Sequence, residues 1–128
     1  MDKKILITAS ISGALAVVLG AFGAHALKAV LQPSDIENWK TAVSYHFYHT
    51  FALLFLSILP LKQGSKALPY WCFTIGIVLF AGSIYLLSSR TITGLYLSIL
   101  GPLTPIGGLF FIIGWLSLAL TALRNKNA

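Results

Sequence analysis

Long apolar stretches, separated by short groups of charged residues, dominate the pattern of this sequence. The uncharged stretches cover residues 5–27, 41–61, 67–89 and 91–123. A helix needs roughly 20 apolar residues to cross the hydrocarbon core of a bilayer, and every stretch meets this length. Inside that core the backbone must bond within its own segment, so each stretch is predicted to be helical. The pattern therefore predicts an all-α polytopic membrane protein, a bundle of four transmembrane helices in one domain over residues 1–128.

The last uncharged stretch is too long for a single span and contains its own interruption. Glycine and proline cluster within residues 101–108, and Thr104 followed by Pro105 is typical of a helix N-cap and first helical position. We expect residues 91–104 to cover the outer end of the bundle, as an interfacial segment, a re-entrant segment or a continuation of the third helix. The predicted spans are about 5–27, 41–61, 67–89 and 105–123. The predicted outer break before the fourth helix consists of Gly101, Pro102, Thr104, Pro105, Gly107 and Gly108.

A helix start signal precedes the second span. The segment from Ser34 to Glu37 fits a capping box, with Ser34 as the N-cap and Pro33 just outside the helix. We therefore predict that the second helix runs from about residue 35 to residue 61, and that its first turns lie at the outer interface.

Small residues line one side of the first predicted helix. Ser12, Ala16, Gly20 and Ala24 recur at four-residue intervals, and Gly13 and Gly23 widen the same side. Lipid tails offer no hydrophobic drive for helix association, so close packing of small residues has to supply it. We predict that these residues form a groove for a neighbouring helix of the same protein rather than a separate dimer face.

The composition agrees with a membrane protein. Hydrophobic residues make up 57% of the chain and charged residues 9%, whereas a soluble domain has about 45–50% and about 25%. The mean hydropathy is +0.85. So few charges cannot cover the surface of a soluble globule, and disorder requires low hydrophobicity. The composition thus excludes a soluble domain and a disordered chain.

Membrane topology explains the net charge of +6 without a polyanionic partner. Lys and Arg are enriched in cytoplasmic loops, so the more basic side is predicted to be the inner one. With the N-terminus inside, the inner side holds Lys3, Lys4, Lys62, Lys66, Arg124 and Lys126, and the outer side holds Lys28, Lys40 and Arg90. We therefore predict a multi-pass protein of the cell (inner) membrane with both termini in the cytoplasm. Its expected partners are the lipid bilayer and either a second copy or another membrane protein, and no nucleic acid.

Histidines are the main candidates for chemistry, because ionisable side chains within membrane spans are costly. His46 and His49 are three residues apart and fall on one face of a helix, with Tyr45 beside them. His25 lies near the end of the first span. We treat His25, Tyr45, His46 and His49 as a candidate polar or binding cluster.

Three interpretations of this cluster are open. The histidines could bond to neighbouring helices, or they could bind a proton or a small solute. His25 and His46 could also join in a metal or haem site, but no Asp or Glu lies within the spans to complete a ligand set. No G-x-S-x-G, H-E-x-x-H or paired-carboxylate motif is present. We therefore predict no enzyme activity, no catalytic residue, no metal and no cofactor.

Four motifs resemble those of the YgdD/YwdK-like family of small membrane proteins, in the same order along nearly the whole chain. The segments that carry the resemblance are 20–27, 39–45 with His49, 80–87, and 101–108 with Gly114 and Trp115. The resemblance implies four predicted helices in the bacterial inner membrane and no established activity. The family-motif positions are His25, Tyr45, His49, Gly101, Pro102, Pro105, Gly107 and Gly108. His46 departs from the family pattern, in which Gln is common, and this departure weakens the metal interpretation.

Three functions are compatible with these features. The first is an accessory or interaction protein that packs with membrane partners or with itself, as the small-residue stripe indicates. The second is a transporter or channel for a small solute, acting as an oligomer, which the outer histidines beside a broken helix favour. The third is a metal or redox site that uses His25 and His46.

Overall fold

A computed structural model describes residues 1–125, except for the side chain of Gln63. Lys126, counted above among the inner charges, lies outside the described residues. Every regular element in the described part is helical, which confirms the predicted all-α class. The α-helices are α1 (Lys3–Ala24), α2 (Pro33–Ile58), α3 (Ala67–Gly76), α4 (Gly82–Ser88), α5 (Arg90–Thr93) and α6 (Leu100–Arg124). Turns of 3₁₀ helix cover Leu27–Ala29 and Gln63–Lys66, and a π turn, Ile77–Ala81, joins α3 to α4.

Three helical segments are long and apolar enough to cross a membrane: Lys3–Ala29, Gly64–Ser88 and Leu100–Arg124. The segment Gly64–Ser88 contains α3, the π turn and α4, and we call it the third rod. Helix α2 is similar in length, with 26 residues and about 39 Å at 1.5 Å per residue. It is more polar, because charged residues occupy its first turns and two buried histidines its middle. The structure is therefore a membrane bundle with three clearly apolar helices and one more polar helix.

Helix α2 begins and ends earlier than the sequence predicted. Pro33 is its first residue and Gln32 its N-cap, so the predicted capping box with Ser34 as N-cap is wrong. Proline suits the first helical position, because its φ is already helical and that position needs no N–H donor. The helix ends at Ile58 rather than at residue 61. Leu59 is extended, with ψ 137°, because the proline after it disfavours a helical conformation.

Helix α6 begins at Leu100, so the predicted N-cap at Thr104 and helix start at Pro105 are wrong. Pro102 lies in the first turn, where backbone N–H groups have no partner within the helix. Pro105 sits inside the helix and removes only one hydrogen bond near its start. The predicted break residues, Gly101, Pro102, Thr104, Pro105, Gly107 and Gly108, are therefore helical.

A broken segment does precede the last helix, but it lies upstream of the predicted position. Helix α5 ends at Thr93, its C-cap Gly94 has a positive φ of 72° that commonly terminates a helix, and no helix resumes before Leu100. Every residue from 91 to 99 is exposed. Residues 91–99 are thus an exposed connection between the third rod and α6. They are not buried against the outer end of the bundle, which we expected them to cover.

The long helices pack in chain order: α1 contacts α2, α2 contacts the third rod, and the third rod contacts α6. The backbone N–H of Asp2 donates to the carbonyl of Ser57 at 2.8 Å. The hydroxyl of Thr121, near the end of α6, donates to the carbonyl of Ser65 at 3.5 Å. The start of α1, the end of α2, the start of α3 and the end of α6 therefore share one end of the bundle, which we call the terminal end.

The buried core follows α2 in two clusters. Leu53, Leu56 and Phe73 are fully buried in the cluster nearer the terminal end, and Trp39 and Tyr85 belong to the other. Large apolar side chains cover the outside of the bundle, and many of them are more than half exposed. Such a surface is suited to hydrocarbon and not to water.

Glycines bring the third rod and α6 into close contact. A Cβ at Gly114 would lie 2.7 Å from the ring of Phe73, and a Cβ at Gly76 would lie 2.5 Å from the ring of Phe111. A Cβ at Gly107 would lie 2.7 Å from the Cα of Phe80, in the π turn. Any larger residue at these positions would push the two helices apart, as expected where small residues drive packing in lipid.

Candidate functional site: two histidines on the central helix

His46 lies on α2 and hydrogen-bonds to hydroxyl groups of two neighbouring helices, α1 and α4. Its Nδ1 lies 3.0 Å from the hydroxyl of Tyr85 on α4, and its Nε2 lies 3.0 Å from the hydroxyl of Ser12 on α1. Ser12 in turn lies 2.6 Å from the hydroxyl of Thr50, one turn further along α2. Hydroxyls both donate and accept, so this chain can be ordered in either direction, with one ring nitrogen donating and the other accepting.

His49 is held in one orientation by an aromatic cage. The indole N–H of Trp115 donates to His49 Nε2 at 3.1 Å. Because Nε2 accepts, the proton resides on Nδ1, which donates to the backbone carbonyl of Tyr45 at 2.8 Å. The imidazole stacks on Phe111 with ring centroids 3.5 Å apart and an angle of 7° between planes. His49 is therefore fixed as a neutral ring in a single tautomer.

The four residues of the predicted cluster do not form one site in the structure. His46 faces α1 and α4, whereas His49 faces α6, because α2 lies between these neighbours and a few tens of degrees around its axis change the partner. Tyr45 is 40% exposed and packs against Phe80. His25 is the exposed C-cap of α1, which ends at Ala24 rather than at residue 27.

The geometry does not assemble the metal site considered for His25 and His46. Both ring nitrogens of His46 bond to hydroxyls, and His25 is exposed at the end of α1. Within residues 1–125, no group of three His, Cys, Asp or Glu residues is placed to bind a metal ion. A site of two histidines would lack the three or four ligands that protein metal sites normally supply.

The sequence did not identify the partners of the two histidines as partners: Ser12 counted only among the small residues of the first helix, and Tyr85 and Trp115 only within the family motifs. Ser12, Tyr85 and Trp115 come from three different helices, so sequence spacing could not bring them to α2. Each carries a hydroxyl or N–H group within a predicted span, and a buried polar group of this kind needs a partner. The need of such a polar group for a hydrogen-bond partner is the sequence feature that would have identified Ser12, Tyr85 and Trp115 as candidates.

A groove beside His46 opens between α1 and the third rod. Its volume is about 260 Å³. Four of its lining side chains carry polar atoms, namely Thr8, Ser12, His46 and Thr74, and the others are aliphatic. Ile11 and Val78, also in the lining, are 65% and 64% exposed, so the groove reaches the lipid-facing surface. Ser12 thus links the buried chain around His46 to the outside of the bundle.

The small residues of α1 face α2 over most of its length. Ala16 is fully buried, and a Cβ at Gly20 would lie 3.4 Å from Val43. A Cβ at Gly23 would meet the ring of Trp39 at 2.5 Å, and the Trp39 N–H donates to the Leu19 carbonyl of α1 at 2.8 Å. Ala24, the last residue of the predicted stripe, is exposed. Gly23 therefore admits an aromatic ring of the neighbouring helix inside the same chain, and Gly20 packs against an aliphatic side chain of that helix.

The family profile described as "Protein of unknown function (DUF423)" matches residues 19–108. The chain belongs to this family. The matched segment includes α2, the third rod and the first turns of α6, and so contains both histidines of the site. Membership confirms the resemblance to the YgdD/YwdK-like family, and the family description states no activity.

Curated relatives of this DUF423 protein match it along nearly its full length. The UPF0382 membrane protein YwdK of Bacillus subtilis (strain 168) is 41% identical over 125 residues, covering 95% of this chain and 98% of the relative. The UPF0382 inner membrane protein YgdD of Escherichia coli (strain K12) is 35% identical, covering 98% and 94%. No solved structure matches the chain. The relatives and the apolar helices together identify it as an integral membrane protein.

Proposed function

We propose that this protein acts by associating with a second membrane protein chain, either another copy or a different protein, and that it catalyses no reaction. The observation that carries the proposal is the groove between α1 and the third rod. The three hydroxyls that line the groove already bond within the chain, but each keeps an acceptor lone pair that a donor on a helix seated there could use. The exposed rim residues would add the close packing that drives association in lipid.

The charges favour one orientation for this assembly. Of the described residues, five basic ones lie at the terminal end of the bundle: Lys3, Lys4, Lys62, Lys66 and Arg124. Three lie at the opposite end: Lys28 in the 3₁₀ turn after α1, Lys40 within α2, and Arg90 at the start of α5. We place the terminal end in the cytoplasm on the positive-inside rule. The relative YgdD is described as an inner membrane protein, and we propose the same membrane here. Single cysteines at Gly64 and Thr93 should then label from opposite sides, with Thr93 accessible from outside.

Crosslinking in native membranes tests the association. In a Cys72→Ala background, a single cysteine at Ile11 or at Val78 would be labelled with a short maleimide that carries a photoreactive benzophenone, which on illumination inserts into C–H bonds of any adjacent chain. A groove filled by a partner should give a crosslinked product, at twice the mass of the 13.8 kDa chain for a second copy or at another mass for a different protein. A cysteine at Leu116, which is 61% exposed on α6, is the matched control and should give far less product.

The proposed association would be contradicted if cysteines at Ile11 and Val78 gave no more crosslinked product than the cysteine at Leu116. Product of equal yield from all three cysteines would indicate random collision in the membrane, and it would also contradict a specific interface at the groove.

A second function, proton or small-solute transfer, is favoured by the chain from Tyr85 through His46 to Ser12. Because the chain can be ordered in two directions and reaches the groove, it has the form of a short proton relay. Protein reconstituted in vesicles should then conduct protons, and His46→Gln should abolish the flux, because Gln keeps hydrogen bonds but does not titrate. Flux that is absent in both proteins, or unchanged by the substitution, would remove this function.

A further inference from the structure

A pocket of about 340 Å³ opens at the terminal end, between the start of α3 and the end of α6. Its polar lining comes from Lys62, Ser65, Thr121, Arg124 and Asn125. The volume falls within the range of about 300–1,000 Å³ that small-ligand sites occupy. The pocket is separate from both histidines and from the groove beside α1.

The charge in this pocket is unbalanced. Lys62 and Arg124 are both exposed, and among residues 1–125 no acidic side chain contributes to the lining. Within residues 1–125 the single salt bridge joins Lys40 to Glu37 at the other end of the bundle. Two cations thus face the same pocket without a carboxylate between them, and the missing counter-charge points to an anionic ligand.

An unused hydrogen-bond donor lies beside the two cations. Among the described residues, the Nδ2 group of Asn125 is buried and has no hydrogen-bond partner. A buried N–H group without a hydrogen-bond partner is destabilising, so native structures rarely leave one unless a ligand or ion accepts its hydrogen bond. Lys, Arg and amide donors together match the oxygen atoms of a phosphate group.

The pocket lining also includes one large apolar side chain, Leu68, which is 58% exposed. Leu123 precedes Arg124 in the sequence, lies outside the lining and is 81% exposed. A phosphate held by the polar groups would therefore have exposed hydrocarbon next to it. A lipid headgroup has this arrangement, with the phosphate at the interface and the acyl chains against the helices.

We propose that Lys62, Arg124 and Asn125 bind the phosphate of an anionic phospholipid headgroup, whose acyl chains lie along Leu68. The site does not depend on which leaflet the terminal end faces. If the lipid site fails its test, the proposed association through the groove is unaffected, because the two surfaces share no residue.

Lipid retention on the purified full-length protein tests the site. The protein in detergent would be titrated with phosphatidylglycerol or with phosphatidylcholine of the same acyl chains, and bound lipid counted by native mass spectrometry. Phosphatidylglycerol should bind more tightly than phosphatidylcholine. The double substitution Lys62→Gln with Arg124→Gln should weaken it roughly 30-fold, at about five-fold for each charge removed.

A matched control removes the same charge elsewhere. Lys3→Gln with Lys28→Gln also neutralises two exposed lysines, and it should leave phosphatidylglycerol affinity nearly unchanged. Asn125→Ala changes no charge and should weaken binding several-fold, because it removes the unpaired donor. Equal losses in the pocket and control variants, or no loss in Asn125→Ala, would overturn the proposal.

A separate arm distinguishes lipid from free phosphate. Inorganic phosphate added to the lipid-bound protein should displace little phosphatidylglycerol, because it lacks the chains that contact Leu68. Full displacement at modest phosphate concentration would show that the pocket takes a soluble anion, and it would contradict a lipid site.

Discussion

His46 and His49 lie three residues apart on the same helix, both buried, and their surroundings differ in kind. His49 has its two nitrogens fixed by a carbonyl and an indole, and its face is covered by Phe111. His46 has its two nitrogens on hydroxyls that can reverse their donor and acceptor roles. One histidine is thus a packing residue with a single tautomer, whereas the other belongs to an adaptable polar chain beside the groove.

The neighbours of α2 explain the difference. On the α6 side, Gly76 and Gly114 let aromatic rings from the opposite helix approach the backbone, and the resulting layer of rings encloses His49. On the α1 side the contact residues are small, and Ser12 offers a hydroxyl but no ring. Tight packing is therefore complete around His49, and a groove is left beside His46.

The largest expected effect is from His49→Ala. The substitution removes a ring stacked on Phe111 and leaves the Trp115 N–H without its acceptor, so we expect a loss of about 3 kcal/mol in the free energy of unfolding. An unfolding titration with SDS in mixed micelles measures it. Phe55→Ala, at a 64% exposed lipid-facing position, is the control and should cost far less. Similar losses at both positions would show that the aromatic cage around His49 stabilises the fold no more than an exposed lipid-facing side chain does.

A smaller effect is expected from Trp115→Phe. An aromatic ring is kept next to Phe73, but the donor to His49 is lost, which should cost about 1 kcal/mol in the same titration. Trp71→Phe, at a half-exposed position, removes an indole N–H that has no hydrogen bond to the described residues, and it should be nearly neutral. A neutral result for Trp115→Phe would mean that the hydrogen bond does not fix the His49 tautomer.

The smallest effect is expected from Ser12→Ala. Hydrogen bonds between membrane helices contribute about 0.6 kcal/mol on average, and Thr50 can turn to the carbonyl one turn earlier in its own helix when Ser12 is absent. Ser10→Ala is the control, because Ser10 bonds only to Leu6 of its own helix. A loss above about 2 kcal/mol would contradict an adaptable chain around His46.

The sequence predicted the helical class and the membrane setting well because both depend on local quantities, namely apolar length and charge spacing. It misplaced helix ends where two local signals competed. At Pro33 and Ser34 the proline determined the start of α2, and at Pro102 and Pro105 the chain tolerated prolines early in a helix that begins at Leu100.

The candidate site was predicted only in part. His46 and His49 were selected because ionisable groups in spans are rare, and His25 was grouped with them because it lies near the end of the first predicted span. That grouping could not foresee that His25 would cap α1 at the surface. The contacts that decide the two environments, with Tyr85 and with Trp115, depend on how helices far apart in sequence pack.

The comparison of the two histidines is tested most directly by replacing each with glutamine and measuring the free energy of unfolding in mixed micelles. Glutamine can donate and accept within the hydroxyl chain, so His46→Gln should cost less than about 1 kcal/mol. It cannot reproduce the flat ring stacked on Phe111, so His49→Gln should cost about 2 kcal/mol more. Equal losses, or a larger loss at His46, would contradict the assignment of a fixed packing role to His49 and an adaptable one to His46.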